Sequence, residues 1–146
     1  MDRDRCSIVI SLRLLSILAL VMLGGACNKS TIKLHPVKGK VLFKDQPANG
    51  AQIVFRPENE DPSAKLPTPY ATTTEDGGFS LRTEPHGEGA LPGDYIVMIT
   101  WYGPDPKNPE QSVNKLPAKY ADPTTPLLKV TVKEGVNELE PFKLKP

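Results

Sequence analysis

Apolar residues recur at every second position in most of the proline-free stretches of this chain. That period places alternate side chains on opposite faces of a strand, so each stretch predicts a half-buried β-strand. The clearest predicted strands, with their inward residues, are 37–44 (Val37, Val41, Phe43), 51–56 (Ala51, Ile53, Phe55), 77–82 (Phe79, Leu81), 93–102 (Tyr95, Val97, Ile99, Trp101) and 127–133 (Leu128, Val130, Val132).

The stretch 93–102 differs from the others because its second face is also apolar, with Ile96 and Met98. A strand that is apolar on both faces is expected to be covered on both sides. We therefore expect this strand to lie in the centre of a sheet.

The last stretch, 137–145, changes phase: Leu139 is odd-numbered, whereas Phe142 and Leu144 are even-numbered. Pro141 lies at the change and cannot donate to a ladder, which predicts an edge strand with a bulge. A weaker strand at 70–74 brings the number to seven. Because all 16 prolines lie at or beyond Pro36 and proline disfavours helix interiors, the prediction is an all-β chain, an antiparallel seven-stranded β-sandwich.

Residues 75–78, Glu-Asp-Gly-Gly, lie between two predicted strands and combine two carboxylates with two glycines. Asp-Gly is a strong hairpin signal, because both central residues of the favoured two-residue turn have positive φ. A calcium loop needs six to eight oxygen ligands, and only Glu75 and Asp76 offer carboxylates here. The interpretation is a turn, with a metal site as the weaker alternative.

The N-terminus indicates export. Three arginines and two aspartates precede an uncharged run of 13 residues, 14–26. That run has the length of the apolar region of a signal peptide and is shorter than the roughly 20 residues of a membrane span. Residues 1–26 are therefore predicted to be a cleaved signal peptide.

Cys27 follows the small residues Gly24, Gly25 and Ala26 and has two interpretations. One is ordinary cleavage that leaves an N-terminal cysteine. The other is lipidation, because Leu23 to Cys27 resembles the lipobox of bacterial lipoprotein precursors, although Gly24 stands where that family prefers Leu. No later cysteine is available as a disulfide partner, which favours lipidation over an exported free thiol.

Lipidation of Cys27 implies a location. Several acyl chains on one residue give stable membrane attachment, which a single chain does not. The prediction is an extracytoplasmic, membrane-anchored lipoprotein, at the outer membrane or the periplasmic face of the inner membrane. Residues 27–35 would form a lipidated tether and 36–146 the β-sandwich domain.

The net charge of the chain argues against nucleic acid as a partner. Without the three arginines and two aspartates of the signal segment, the chain has 15 basic and 15 acidic residues. A neutral chain without a basic patch is not expected to bind nucleic acid.

Four turn-and-strand motifs, followed by two longer segments, carry a resemblance to known families. They are Val37-x-Gly39-x-Val41-x-Phe43, Pro47-x-x-Gly50-Ala51-x-Ile53-x-Phe55, Thr74-x-Asp76-Gly77-x-Phe79-x-Leu81 and Pro92-Gly93-x-Tyr95-x-Val97, then residues 116–123 (LPAKYADP) and 130–137 (VTVKEGVN). The motifs resemble the carboxypeptidase-regulatory-like, transthyretin-related group, and the segments resemble small planctomycete-type lipoproteins. The resemblance implies a Greek-key, transthyretin (prealbumin-like) sandwich and an anchor, and no particular activity.

Candidates for catalysis are few. The only histidines are His35, in the predicted tether, and His86, in the loop EPHGEG, where a metal is less favoured than a solvated loop. Carboxylates Glu58, Glu60 and Asp61 are interpreted as a solvated acidic turn. The chain resembles hydroxyisourate hydrolase, the enzyme of the transthyretin-like fold, in neither its C-terminus nor its histidine and arginine content. We predict no catalytic residues, no metal and no cofactor.

The segment 103–126 is proline-rich, lacks strand alternation and is long for a loop, which is typical of a functional or a disordered segment. With the preceding residues it contributes Trp101, Tyr102, Lys115, Lys119 and Tyr120, our candidate ligand or partner surface. Trp101 could instead be a core residue of its strand. The loop could instead be a structural strap that covers a sheet edge.

The sequence therefore predicts a non-catalytic, lipid-anchored binding or assembly module of the cell envelope, which contacts the membrane through Cys27 and binds an envelope protein or polysaccharide. The alternative is a carbohydrate-binding module that uses exposed aromatics near Trp101, Tyr102 and Tyr120. A hydrolase is the third hypothesis.

Overall fold

A computed structural model describes residues 32–59 and 68–146. The predicted signal peptide, Cys27 and the carboxylates of Glu60 and Asp61 lie outside the described residues. Residues Ile32–Pro146 form a compact unit.

The described residues form short strands and one 3-10 helix, without an α-helix, which confirms the all-β prediction. The elements are β1 (Val37–Phe43), β2 (Gln46–Pro47), β3 (Gln52–Pro57), β4 (Tyr70–Thr72), β5 (Gly78–Ser80), β6 (Arg82–Thr83), β7 (Gly87–Glu88), β8 (Gly93–Thr100), β9 (Tyr102–Pro104), β10 (Ser112–Asn114), the 3-10 helix (Ala118–Tyr120), β11 (Lys129–Val132), β12 (Asn137–Glu138) and β13 (Phe142–Leu144). In this part of the chain, no helix has the length and apolar character to cross a membrane.

The larger sheet has six strands in the order β11-β8-β3-β4-β6-β7, and every neighbouring pair is antiparallel. Strand β8 pairs with β3 over six residues, from Gln52↔Thr100 to Pro57↔Tyr95, and with β11 on its other edge. The predicted central position of this strand is confirmed. Its second face is only half-buried at Ile96 and Met98, so the expectation of full cover on both faces is wrong for these side chains.

The second sheet is built on β1. Strands β5 and β2 pair antiparallel with it, whereas β12 and β13 pair parallel with it. A wholly antiparallel arrangement is therefore wrong for the C-terminal segment. The reason is the path of the chain: β11 runs toward the end where β1 begins, and after the turn at 133–136 the chain continues beside β1 in the same direction.

The register of the C-terminal segment contains the predicted bulge. Val37 pairs with Asn137, an offset of 100 positions, and Val41 pairs with Phe142, an offset of 101. One extra residue therefore lies between β12 and β13, in the stretch that contains Pro141. The phase change in the apolar pattern located this irregularity.

The predicted strand 77–82 is split between the two sheets. Strand β5 pairs with β1, whereas β6 pairs with β4 in the other sheet. Leu81, fully buried at the crossing, donates its backbone N–H to the carbonyl of Val37 at 2.9 Å. Strands that change sheet in this way form the corners of packed sheets.

Side chains from both sheets meet in one core. The ring of Phe55 on β3 lies 6.4 Å from that of Phe79 on β5 and 5.8 Å from that of Tyr95 on β8, and Phe79 stacks on Phe142 at 6.1 Å. The inward residues predicted in β1, β3, β5 and β8 are mostly among the buried core. The two sheets thus pack face to face in a sandwich-like arrangement.

Two turns differ from the conformations that the sequence indicates. At Asp76 the backbone φ is not positive; only Gly77 is left-handed, with φ 77°, and its N–H donates to Thr74 O at 2.9 Å. The two-residue turn with two positive φ values lies instead at Lys44 (53°) and Asp45 (60°), between β1 and β2. The sequence gives no hairpin signal there, because the turn lacks the usual glycine.

The compact unit includes residues of the predicted tether. His35 is buried and exchanges two backbone hydrogen bonds with Ala90, at 2.8 and 3.0 Å. The tether predicted for residues 27–35 therefore overlaps the β domain at residues 32–35.

Candidate partner-binding surface

Trp101 follows the last residue of β8 and packs against the core. Its ring meets that of Phe43 edge-on, with centroids 6.2 Å apart and planes at 76°. Its indole N–H donates to the backbone carbonyl of Asn49 at 2.7 Å. Both contacts favour the core interpretation of Trp101, although the side chain keeps partial solvent exposure.

The side chain of Lys115 lies across the ring of Trp101. The ammonium is 4.8 Å from the ring centroid, within the range of a cation–π contact. The backbone N–H of Lys115 donates to Trp101 O at 2.7 Å. A Cβ at Gly103 would lie 2.3 Å from Lys115 Cε. The lysine side chain can therefore cross this position only because residue 103 is glycine. The lysine therefore occupies space that a ligand stacked on Trp101 would need.

Tyr102 begins β9 and is 56% exposed. Its strand pairs with β10, so that Tyr102 lies opposite Asn114. The side-chain oxygen of Asn114 accepts hydrogen bonds from the backbone N–H of Trp101 at 2.9 Å and of Leu116 at 3.1 Å. Tyr102 is thus an exposed aromatic side chain on a hydrogen-bonded base.

Tyr120 is buried, with 8% exposure, which corrects the expectation that it is an exposed aromatic. Its hydroxyl donates to Lys145 O at 3.1 Å and accepts from Lys145 N–H at 2.8 Å. Lys119 donates its ammonium to Pro146 O at 3.0 Å. These two residues fasten the C-terminus, because the 3-10 helix places them against it.

The structure therefore divides the five candidates into two groups. Trp101 and Lys115 are in contact at the base of the β9–β10 hairpin, and the exposed Tyr102 follows Trp101 in the chain; we call these three residues the hairpin-base surface. Lys119 and Tyr120 belong instead to the segment between β10 and β11, which we call the strap. Asn49 and Asn114, which position the hairpin base, were not anticipated; the Asn49-Gly50 turn signal could have indicated the first.

The segment 103–126 is not the structureless loop that its composition predicted. It contains β10, most of β9 and the 3-10 helix, and Leu116 is buried with 4% exposure. Short strands bounded by proline give no alternation to detect, which is why the sequence pattern missed them.

The acidic turn at residues 75–78 is held by its own side chains. Asp76 accepts hydrogen bonds from the Thr74 hydroxyl at 2.7 Å and the Gly78 N–H at 3.1 Å, and it pairs with Lys40 at 3.1 Å. The hydrogen bond from Thr74 and the contact with Lys40 hold the pKa of Asp76 well below its usual range. The carboxylate therefore acts within the turn, as the turn interpretation expects.

The loop around His86 shows no convergent ligand set. His86, Glu84 and Glu88 are exposed, and Glu84 forms an ion pair with Arg82. In residues 32–59 and 68–146, no group of three or more His, Cys, Asp or Glu side chains could hold a metal ion. Of the candidate sites in this part of the chain, the hairpin-base surface is the best supported as a binding site.

Comparisons with known proteins give no identity. No family model matches the chain, and no curated protein matches it. Among solved structures, the chain is similar to a 9R-lipoxygenase from Cyanothece PCC8801, with 14% identity and a TM-score of 0.37 over 98% of this chain. The chain spans 23% of the length of that protein, and at this TM-score the likeness supports no statement about fold or activity.

Proposed function

We propose that this protein is a non-catalytic binding or assembly module of the cell envelope, exported by a cleaved signal peptide and anchored through a lipid on Cys27. Its β domain is a Greek-key sandwich of the transthyretin-like type. It binds an envelope protein through the hairpin-base surface.

The Greek-key topology has support from Tyr95. Its hydroxyl donates to Leu91 O, four residues upstream, at 2.9 Å. Burial raises the pKa of this phenol, so it remains a neutral donor at physiological pH. A tyrosine near the start of a strand whose hydroxyl bonds back to the backbone a few residues upstream is typical of Greek-key sandwiches.

One observation carries the functional proposal: the chain enters the β domain at one end, and the hairpin base lies at the other. Strand β1 starts at Val37, two residues after His35, and ends at Phe43, whose ring touches Trp101. Six steps of about 3.3 Å separate these ends by about 20 Å. A lipid attached before Ile32 would therefore leave Tyr102 on the end away from the membrane.

The chemistry of the surface favours a protein partner. Exposed tyrosine on a rigid base is enriched where proteins bind each other, because the ring buries a large area and loses little side-chain entropy. The carbohydrate alternative needs an open aromatic face, and the Lys115 ammonium covers that of Trp101.

The lipid anchor is tested with a palmitate analogue in cells. Wild-type protein should incorporate the label, and Cys27→Ser should not, because the thioether to the lipid requires the thiol. Label on the variant, or none on the wild type, would remove the anchor.

The surface is tested by crosslinking in intact envelopes, with Tyr102→Ala and the control Tyr70→Ala. Tyr70 is also an exposed tyrosine (40%), but it lies on β4. Truncation of Tyr102 should lower recovery of a crosslinked partner on the order of tenfold, as for an interface hot spot, and truncation of Tyr70 should leave it unchanged.

Equal recovery from both variants would contradict the role of Tyr102. A shift in the emission of Trp101, the single tryptophan, on addition of cell-wall polysaccharide would favour the carbohydrate alternative.

A further inference from the structure

The turn at residues 133–136 presents an aliphatic side chain to solvent on a fixed frame. Val136 is 72% exposed. Asn137, itself buried, accepts from Lys133 N–H at 2.9 Å and donates to Lys133 O at 2.9 Å and Gly135 O at 3.1 Å. These hydrogen bonds close the turn around one amide side chain, so Val136 is held in place.

The same turn is fastened to the first residues of the β domain. Gly135 N–H donates to His35 Nδ1 at 2.7 Å, and Asn137 N–H donates to Pro36 O at 2.9 Å. Val136 therefore lies beside the point where the chain enters the domain, at the end opposite Tyr102.

If Cys27 is lipidated, Val136 lies on the side of the domain that faces the membrane. This inference rests on that part of the proposed function. Four residues separate Cys27 from Ile32, and a chain of this length spans at most about 18 Å when extended. The end of the domain that carries His35 and the 133–136 turn must then remain close to the bilayer.

We propose that the 133–136 turn is a membrane-contact site at which Val136 enters the interfacial region of the bilayer. Lys133 and Glu134, both exposed, precede it with opposite charges that cancel. The contact is therefore apolar, since burial of aliphatic area drives interfacial binding without a need for anionic lipid.

The chain allows a direct test. Its two cysteines are Cys6, in the predicted signal peptide, and Cys27, so mature lipoprotein that carries Val136→Cys has a single free thiol. The matched control is Gln111→Cys, exposed beside β10 at the opposite end. Each full-length variant is purified from membranes, labelled with a fluorophore and reconstituted into phosphatidylcholine vesicles with nitroxide-labelled acyl chains.

The label at position 136 should be quenched at least about twofold more strongly than the label at 111, because only the former reaches the boundary between the headgroups and the acyl chains. The difference should persist when anionic lipid is added. Equal quenching of two variants that both float with the vesicles would overturn the membrane contact alone, and so would quenching that requires anionic lipid. Failure of the wild type to float, with no palmitate label, would overturn the anchor and the contact together.

Discussion

Gly77 and Gly50 share a backbone φ of 77° but differ in their surroundings. A Cβ at Gly77 would lie 2.5 Å from the carbonyl oxygen of Val41, whereas a Cβ at Gly50 would meet nothing within 4 Å. The two positions therefore separate the cost of a left-handed backbone from the cost of a steric clash.

Gly50→Ala should lower the free energy of unfolding by about 1 to 2 kcal/mol, the cost of the left-handed conformation for an L-residue. Gly77→Ala should cost at least about 1 kcal/mol more, because the methyl group must also displace the β1 backbone. Urea unfolding of both variants and the wild type measures the difference. Equal losses would mean that the Val41 carbonyl yields without cost.

The segment between β10 and β11 is a strap that completes the core. Leu116 reaches the core at 4% exposure, whereas Leu127, at the far end of the same segment, is 57% exposed. Tyr120 and Lys119 fix the C-terminus from the same segment. Deletion of the strap would therefore remove core volume as well as surface.

Leu116→Ala should destabilise the domain by about 2 to 5 kcal/mol, since it removes buried methyl groups and leaves a cavity. Leu127→Ala, the matched control, should change the unfolding free energy by no more than about 0.5 kcal/mol. Thermal and urea unfolding measure both. Similar small effects would indicate that the strap is dispensable for the fold, as its composition first suggested.

Alternation of apolar residues predicted the long strands well because burial on one face imposes a period of two. The same pattern predicted that β8 lies inside its sheet and that a bulge precedes Phe142. It could not find the exchange of sheets at Leu81, because alternation continues unbroken through the crossing. It also missed the burial of Tyr120, which depends on a contact with Lys145, 25 positions away.

The candidate surface was predicted only in part, because proximity in the sequence indicates some of its contacts and not others. Trp101 and Lys115 meet because the β9–β10 hairpin brings the residue after β10 beside the residue after β8, and Tyr102 is the next residue of the chain. Tyr120 was grouped with them only by its place in the sequence, and the 3-10 helix turns it to the core.

At the scale of the whole molecule, acid should weaken the fold through carboxylates that the native state stabilises. Hydrogen bonds from the Thr124 side chain and backbone, and from the Thr125 hydroxyl, lower the pKa of Asp122 to about 2. The pKa of Asp76 is lowered too. A depressed folded pKa means that the stabilisation is present above the unfolded value of about 3.9 and is lost as pH falls below it.

The urea midpoint should accordingly fall between about pH 4 and pH 2 in the wild type. In Asp122→Asn the midpoint should start lower at neutral pH and fall less steeply, because the variant has no proton to gain at this position. Parallel curves for the two proteins would show that Asp122 contributes nothing to the acid dependence.

The parallel pairing of β1 with β12 and β13 has a mechanical consequence. Strand β1 carries the chain in from its N-terminal end, and β13 carries it out at the opposite end. A pull between the two chain ends would therefore act along the strands, and the ladder from Val37 to Phe43 would bear the load as shear shared by all of its hydrogen bonds. An antiparallel pair closed by a hairpin would instead open one bond at a time, from the loaded end.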